Sequence, residues 1–87
     1  MPNKKSTYFD QKWKQQIGSR IRKIRGFDQQ QKELAETLGI TQSNLSKIER
    51  GELAPTTENL VRLSRISGRS IDWIINGENS PTDNAGI

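Results

Sequence analysis

Residues 31–50 read QKELAETLGITQSNLSKIER, and this stretch predicts two short helices joined by a tight turn. Leu34, Ala35 and Leu38 recur at the spacing that places side chains on one face of a helix. Gly39 follows directly, where a helix commonly ends in a left-handed residue, a conformation that glycine adopts with little strain. The stretch therefore begins with an amphipathic helix that stops at a sharp turn.

A second helix is predicted to begin at Gln42, because Thr41 is a good N-cap residue. Leu45 and Ile48 lie three residues apart and face inward, and Ile40 is an apolar plug in the turn. The side away from them carries short polar and basic residues, namely Gln42, Ser43, Ser46, Lys47 and Arg50. Amide, hydroxyl and cationic groups on one arc suit the base edges and phosphates of DNA.

The composition argues against catalysis and against membrane insertion. The chain has 87 residues, enough for one domain with a small core. It contains no cysteine and no histidine, so it lacks disulfides, thiolate ligands and the commonest general base. With no clustered carboxylates or glycine-rich phosphate loop either, we expect neither a cofactor, nor a metal, nor enzyme activity. No apolar run has the length of a membrane span or signal peptide, which predicts a cytoplasmic protein without membrane contact.

Charge is distributed unevenly along the chain, whose net charge is +4. Residues 1–25 contain eight basic residues and one acidic residue, a net charge of +7. The remaining residues contain six basic and nine acidic residues, a net charge of −3. This asymmetry indicates an anionic partner for one face of the domain.

The first helix is predicted to span residues 8–25, after a disordered basic arm at residues 1–7. Its apolar stripe has helical spacing and consists of Phe9, Trp13, Ile17, Ile21 and Ile24. Trp13 is expected to form a lid on the core rather than to stack on a base. Gly26 should end the helix, and Phe27 is expected to return to the core.

The start of the second helix is predicted from its capping residues. Asp28 is a better N-cap than Gln30, and Gln31 follows it at capping-box spacing. The second helix is therefore expected to begin near Gln29.

Two more helices are predicted after the loop that follows Gly51. Thr56 should cap a helix over residues 57–67 that ends at Gly68, with three inward residues, Leu60, Leu63 and Ile66. Ser70 should cap a short fifth helix that ends at about Ile75. The sequence thus predicts an all-α, five-helix domain over residues 8–77, followed by a flexible tail or linker at residues 78–87.

These features together resemble the helix-turn-helix domain of the lambdoid phage repressor and Cro family, also called the XRE type. Within the central stretch the resemblance rests on Gln31, Leu34, Ala35, Leu38, Gly39, Ile40, Leu45, Ile48 and Glu49-Arg50-Gly51. Outside it the matching residues are Ile17-Gly18, Ile21, Ile24-Arg25, Pro55, Leu60, Leu63 and SIDWIING at residues 70–77. So many matches at fixed spacing are far more specific than one amphipathic helix pair.

The resemblance implies a lambda-repressor-like fold and a sequence-specific transcriptional regulator that binds double-stranded DNA. The most direct expectation is a phage or prophage-type repressor that binds a palindromic operator as a dimer. Two alternatives share the fold: an antitoxin that also masks a toxin, and a protein-interaction module that does not read DNA. The polar tail also fits a boundary before a missing C-terminal oligomerisation domain.

The resemblance also assigns roles to individual residues. Base readout is expected from Gln42, Ser43 and Lys47, with Asn44 beside them. Phosphate contacts are expected from Gln31, Arg20, Ser46 and Arg50, and from the N-terminus of the second helix. Gln31 is also expected to brace Gln42, Arg25 to pair with Glu49, and Gly18 to permit close helix packing. The dimer contact is expected at Leu53, Thr57, Ile71 and Trp73.

Overall fold

The computed structural model describes residues 12–27 and 29–77, and within them the chain folds into five helices with no strand. The helices are α1 Lys14–Arg25, α2 Gln31–Leu38, α3 Gln42–Glu49, α4 Thr57–Ser67 and α5 Ile71–Asn76. This confirms the predicted all-α, five-helix class. The predicted basic arm, the start of the first helix with Phe9, the capping residue Asp28 and the tail lie outside the described residues.

One hydrophobic core joins all five helices. Its buried side chains are Ile17, Ile21, Leu34, Ala35, Leu38, Leu45, Ile48, Leu63, Trp73 and Ile74. Trp13, Ile24, Ile40 and Leu60 are partly buried and pack against this cluster. The lid position predicted for Trp13 and the plug position predicted for Ile40 are therefore confirmed. No helix in the described ranges is long and apolar enough to cross a membrane.

The helix ends follow local sequence rules. Thr41, Thr56 and Ser70 each accept a hydrogen bond from the backbone N–H three residues further on, at 3.0, 3.1 and 2.9 Å. Gly39 and Gly68 end α2 and α4 with φ values of 73° and 76°, in the left-handed conformation that the sequence predicts. Local capping therefore sets the boundaries of α3, α4 and α5.

Gly18 brings the backbones of α1 and α3 into direct contact. A Cβ atom at this position would lie 2.3 Å from the carbonyl oxygen of Ile48 and 2.7 Å from that of Glu49. Both distances are shorter than side chains tolerate, so any larger residue forces the helices apart. The predicted need for a small residue at Gly18 is confirmed, and the contact fixes the C-terminal end of α3 against α1.

Three local predictions are wrong. Phe27 is fully exposed, because Gly26, with φ 74°, turns the chain outward after α1. Ile66 is 49% exposed, since the core contact of α4 is made one turn earlier. The second helix begins at Gln31 rather than near Gln29, with Gln30 as its N-cap. The Glu33 carboxylate accepts the backbone N–H of Gln30 at 3.1 Å, so the third helical residue supplies the capping side chain.

Candidate DNA interface

The turn between α2 and α3 is closed by backbone hydrogen bonds. The N–H of Gly39 donates to the Glu36 carbonyl at 3.1 Å, and the N–H of Ile40 donates to the Ala35 carbonyl at 3.0 Å. Ile40 then packs against the core, which ties the turn to the rest of the domain. Together these contacts hold α2 and α3 in one fixed relative orientation.

The exposed face of α3 contains the four residues assigned to base readout. Leu45 and Ile48 are buried on the opposite side, and the exposed residues are Gln42, Ser43, Asn44 and Lys47. At 100° per residue Ser43 and Lys47 point nearly straight away from Leu45, whereas Gln42 lies on the flank of the arc at the first helical position. Gln42, Ser43 and Lys47 form no side-chain hydrogen bond within the described residues, so their polar groups are available to a ligand.

Arg25 and Glu49 form the expected ion pair between α1 and α3. Arg25 Nε lies 2.8 Å from Glu49 Oε2, and Arg25 Nη2 lies 3.0 Å from Glu49 Oε1, so the pair is bidentate. The side chains are only 15% and 4% exposed. Hydrogen bonding to Glu49 raises the pKa of Arg25, and Arg25 Nη1 also donates to the Gln29 carbonyl at 3.1 Å. The network therefore connects α1, α3 and the chain segment before α2.

Gln31 belongs to the same network, and its predicted brace on Gln42 stays a prediction. Its Nε2 donates to Glu49 Oε1 at 2.9 Å. The physical reason is the burial of the Glu49 carboxylate, which needs several donors to replace lost water. The side-chain oxygen of Gln31 has no hydrogen-bond partner in the described part of the chain, and the residue is half-buried at the N-terminus of α2.

Ser46 and Arg50, both assigned to phosphate contacts, bind each other and a carboxylate in this structure. Arg50 Nη1 donates to Ser46 Oγ, and Arg50 Nε lies 2.8 Å from Glu52 Oε2. Glu52 was not among the site residues predicted from the sequence. The signal for Glu52 in the sequence is its position directly after Gly51, the glycine that follows the C-cap of α3, where the chain turns back toward the basic residues of that helix.

Arg20 has a structural role in this fold, and its phosphate contact stays a prediction. Its Nη1 donates to the backbone carbonyls of Ile74 at 3.0 Å and Ile75 at 2.8 Å, at the C-terminal end of α5. Burial lowers the pKa of Arg20. A cation at this place satisfies carbonyl groups that the helix itself leaves unpaired, so Arg20 joins α1 to α5.

Comparison with known proteins identifies the family to which this fold and this surface belong. A family model described as "Helix-turn-helix" matches residues 20–74, which include all of α2, α3 and α4. The chain belongs to the XRE-type helix-turn-helix family of DNA-binding transcriptional regulators. No solved structure gives a significant match.

The similar curated proteins carry names of the same kind. The SPbeta prophage-derived uncharacterized HTH-type transcriptional regulator YonR of Bacillus subtilis is 36% identical over 77% of this chain and 63% of its own length. The HTH-type transcriptional regulator DicA of Escherichia coli is 38% identical over 71% of this chain and 47% of its own length. An uncharacterized HTH-type transcriptional regulator of Haemophilus influenzae is 35% identical over 53% of this chain and 19% of its own length. The chain thus matches less than two thirds of each relative, and none of these names describes an enzyme.

In this helix-turn-helix domain the four residues assigned to dimerisation differ in accessibility. Leu53 is 40% exposed, Thr57 is exposed and Ile71 is half-buried. Trp73 is only 7% exposed, and the guanidinium of Arg69 lies 4.3 Å from the centre of its ring. Trp73 is therefore a core residue covered by a cation, and its dimer contact stays a prediction.

Proposed function

We propose that this protein is a sequence-specific repressor of the prophage type, with α3 as the helix that enters the major groove. The observation that carries the proposal is the attachment of α3 at its C-terminal end, combined with an exposed polar face on which Gln42, Ser43 and Lys47 form no side-chain hydrogen bond to the described part of the chain. The core covers one side of α3, so only the arc with Ser43 and Lys47, flanked by Gln42, is available to the groove. The prophage-derived name of YonR supports the biological context.

In this proposal the polar residues of α3 have different roles. The Gln42 amide donates to and accepts from one adenine edge, a pairing that distinguishes adenine from other bases. Ser43 and Lys47, on the side of α3 that faces the groove, each contact a base or a phosphate, and Asn44 contacts the edge of the groove. The side-chain oxygen of Gln31 cannot bond to a phosphate oxygen, because both are hydrogen-bond acceptors. The remaining side-chain N–H of Gln31 and the backbone N–H groups at the start of α2 therefore supply the phosphate contact.

Selection of bound duplexes from a random DNA pool, followed by titration of Gln42→Ala, tests the proposal. We expect wild-type protein to prefer the selected duplex over a scrambled one. Gln42→Ala should weaken binding to the selected duplex by about 1–3 kcal/mol and relax the preference at one base pair per half-site. Gln16→Ala is the matched control, because Gln16 is exposed on the side of α1 opposite Gly18, away from α3. An equal loss on both duplexes for Gln42→Ala would contradict this orientation of α3.

We further propose that the protein binds a palindromic operator as a homodimer, with half-sites about 34 Å apart. The contact surface is the exposed part of the α3–α4 loop and the adjoining helix starts, represented by Leu53, Thr57 and Ile71. Sedimentation of the complex with a two-half-site duplex should show two protomers per duplex. Leu53→Asp should abolish binding of the second protomer without preventing binding of the first. A saturated complex with one protomer would refute the dimer.

A further inference from the structure

The loop after α3 folds back over the last turn of that helix. The N–H of Gly51 donates to the Ile48 carbonyl at 3.1 Å, and the N–H of Glu52 donates to the Lys47 carbonyl at 2.8 Å. Gly51 adopts φ 80°, and a Cβ atom there would lie 2.8 Å from the Cα of Gln15 on α1. The loop is therefore fixed from both sides, and the backbone of Glu52 has a defined position at the end of the proposed DNA-reading helix.

The Glu52 carboxylate lies beside two basic residues of this surface. It accepts from Arg50 Nε at 2.8 Å and from Arg50 Nη2 at 3.3 Å. The bond to Arg50, together with the nearby charges of Arg50 and Lys47, lowers the pKa of Glu52. Glu52 is thus ionised at neutral pH, and it holds the guanidinium in the forked geometry that a phosphate group would also use.

We propose that Glu52 is an intramolecular competitor of a DNA phosphate for Arg50. The inference rests on the proposed DNA-binding function and describes how the strength of that binding is limited. The carboxylate occupies the guanidinium in the free protein and keeps it from a phosphate in the DNA complex. The pairing therefore withholds one phosphate contact per protomer and leaves a negative charge close to the DNA backbone.

The exposure of the pair distinguishes this role from a stabilising one. The side chains of Arg50 and Glu52 are 54% and 55% exposed, so solvent and DNA can reach both. Ion pairs with this exposure contribute little to folding stability. Removing the carboxylate should therefore leave the fold intact while freeing a cation on the binding surface.

Titration of Glu52→Gln with the selected and the scrambled duplex, at several salt concentrations, tests the inference. We expect binding to both duplexes to tighten by the same factor, roughly two- to fivefold per bound protomer. The plot of log affinity against log salt concentration should steepen by about 0.9 per protomer, because one more phosphate contact releases a counterion. The double variant Glu52→Gln with Arg50→Gln should lose both effects.

Glu58→Gln is the matched control. Glu58 also forms an exposed ion pair, with Arg62 at 2.7 Å, but on α4. The Glu58→Gln substitution removes the same charge from the protein as Glu52→Gln does, and it should leave the salt dependence of DNA binding unchanged. If Glu52→Gln does not steepen the slope, or if Glu58→Gln has the same effect, the inference is overturned and the proposed function stands. If wild-type protein binds no duplex, both are overturned.

Discussion

Replacing Gly18 with alanine tests the contact that positions α3, the helix that we propose reads DNA. In an isolated helix this change is stabilising by up to about 1 kcal/mol, because alanine has the higher helix propensity. In this structure the new Cβ would lie 2.3 Å from the Ile48 carbonyl oxygen, more than 1 Å closer than the 3.4 Å at which ordinary contacts begin. The two effects have opposite signs, so the sign of the measured change decides between them.

The magnitude follows from what must move. Both clashing atoms, the carbonyl oxygens of Ile48 and Glu49, belong to the backbone of α3, so no side-chain rotation relieves the contact. Overpacking of this kind costs about 1–3 kcal/mol, and separating the helices also strains the bidentate Arg25–Glu49 pair. We expect net destabilisation of roughly 1–3 kcal/mol, or a fall in Tm of roughly 5–20 °C for a domain of this size.

Thermal and urea unfolding of Gly18→Ala provide the measurement, with Ser19→Ala as the control. Ser19 is the next residue of α1 and is exposed, so its replacement should change stability by no more than about 0.5 kcal/mol. DNA affinity should fall in Gly18→Ala at temperatures where the protein remains folded, because the pose of α3 changes. A Gly18→Ala protein that is more stable than wild type would refute the close approach of the two backbones.

Two further predictions concern the cations of α1. Arg25→Ala and Glu49→Ala should each destabilise the fold by about 1–3 kcal/mol, because each change leaves the other side chain of the pair with little water around it. In denaturant melts the double variant should lose less stability than the sum of the two single losses. Strictly additive losses would mean that the two residues do not interact. Arg20→Ala should lower Tm, because it removes the cation that caps α5, but it should leave the salt dependence of DNA binding unchanged. A slope reduced by about 0.9 per protomer would instead show that Arg20 contacts a phosphate. Arg22→Ala, at an exposed position on the same helix, is the control for the loss of one positive charge.

The features predicted correctly from local sequence patterns depend on near neighbours, whereas the long-range Arg25–Glu49 pair and the close approach at Gly18 were expected from the family resemblance. Thr41, Thr56 and Ser70 bond to groups three residues away, and Gly39 and Gly68 need only their own backbone freedom. Helical spacing likewise placed nearly all of the core. These interactions are encoded within one or two turns of chain, where sequence patterns are informative.

The features that were not predicted are contacts between distant residues and the direction of the chain after a turn. Arg20 bonds to carbonyls 54 and 55 residues away, and Gln31 bonds to a carboxylate 18 residues away. A basic or amide residue on a helix surface has the same local pattern whether it faces DNA or another helix. Phe27 was predicted to be buried from its hydrophobicity alone, but the turn at Gly26 places it on the surface. The local pattern did not indicate which way the chain would turn.

The polar and backbone contacts that α3 makes with α1 and with Gln31 of α2 are concentrated at the C-terminal end of α3. The carbonyls of Ile48 and Glu49 meet Gly18, and the Glu49 carboxylate accepts from Arg25 and Gln31. At the other end Thr41 caps the helix through its own hydroxyl, and the side chains of the first turn remain exposed. In the proposed mode of DNA binding, we expect changes in that first turn to alter which DNA sequence is read without altering stability, and changes near Glu49 to affect stability and binding to every DNA sequence together. One scaffold could then carry different reading residues.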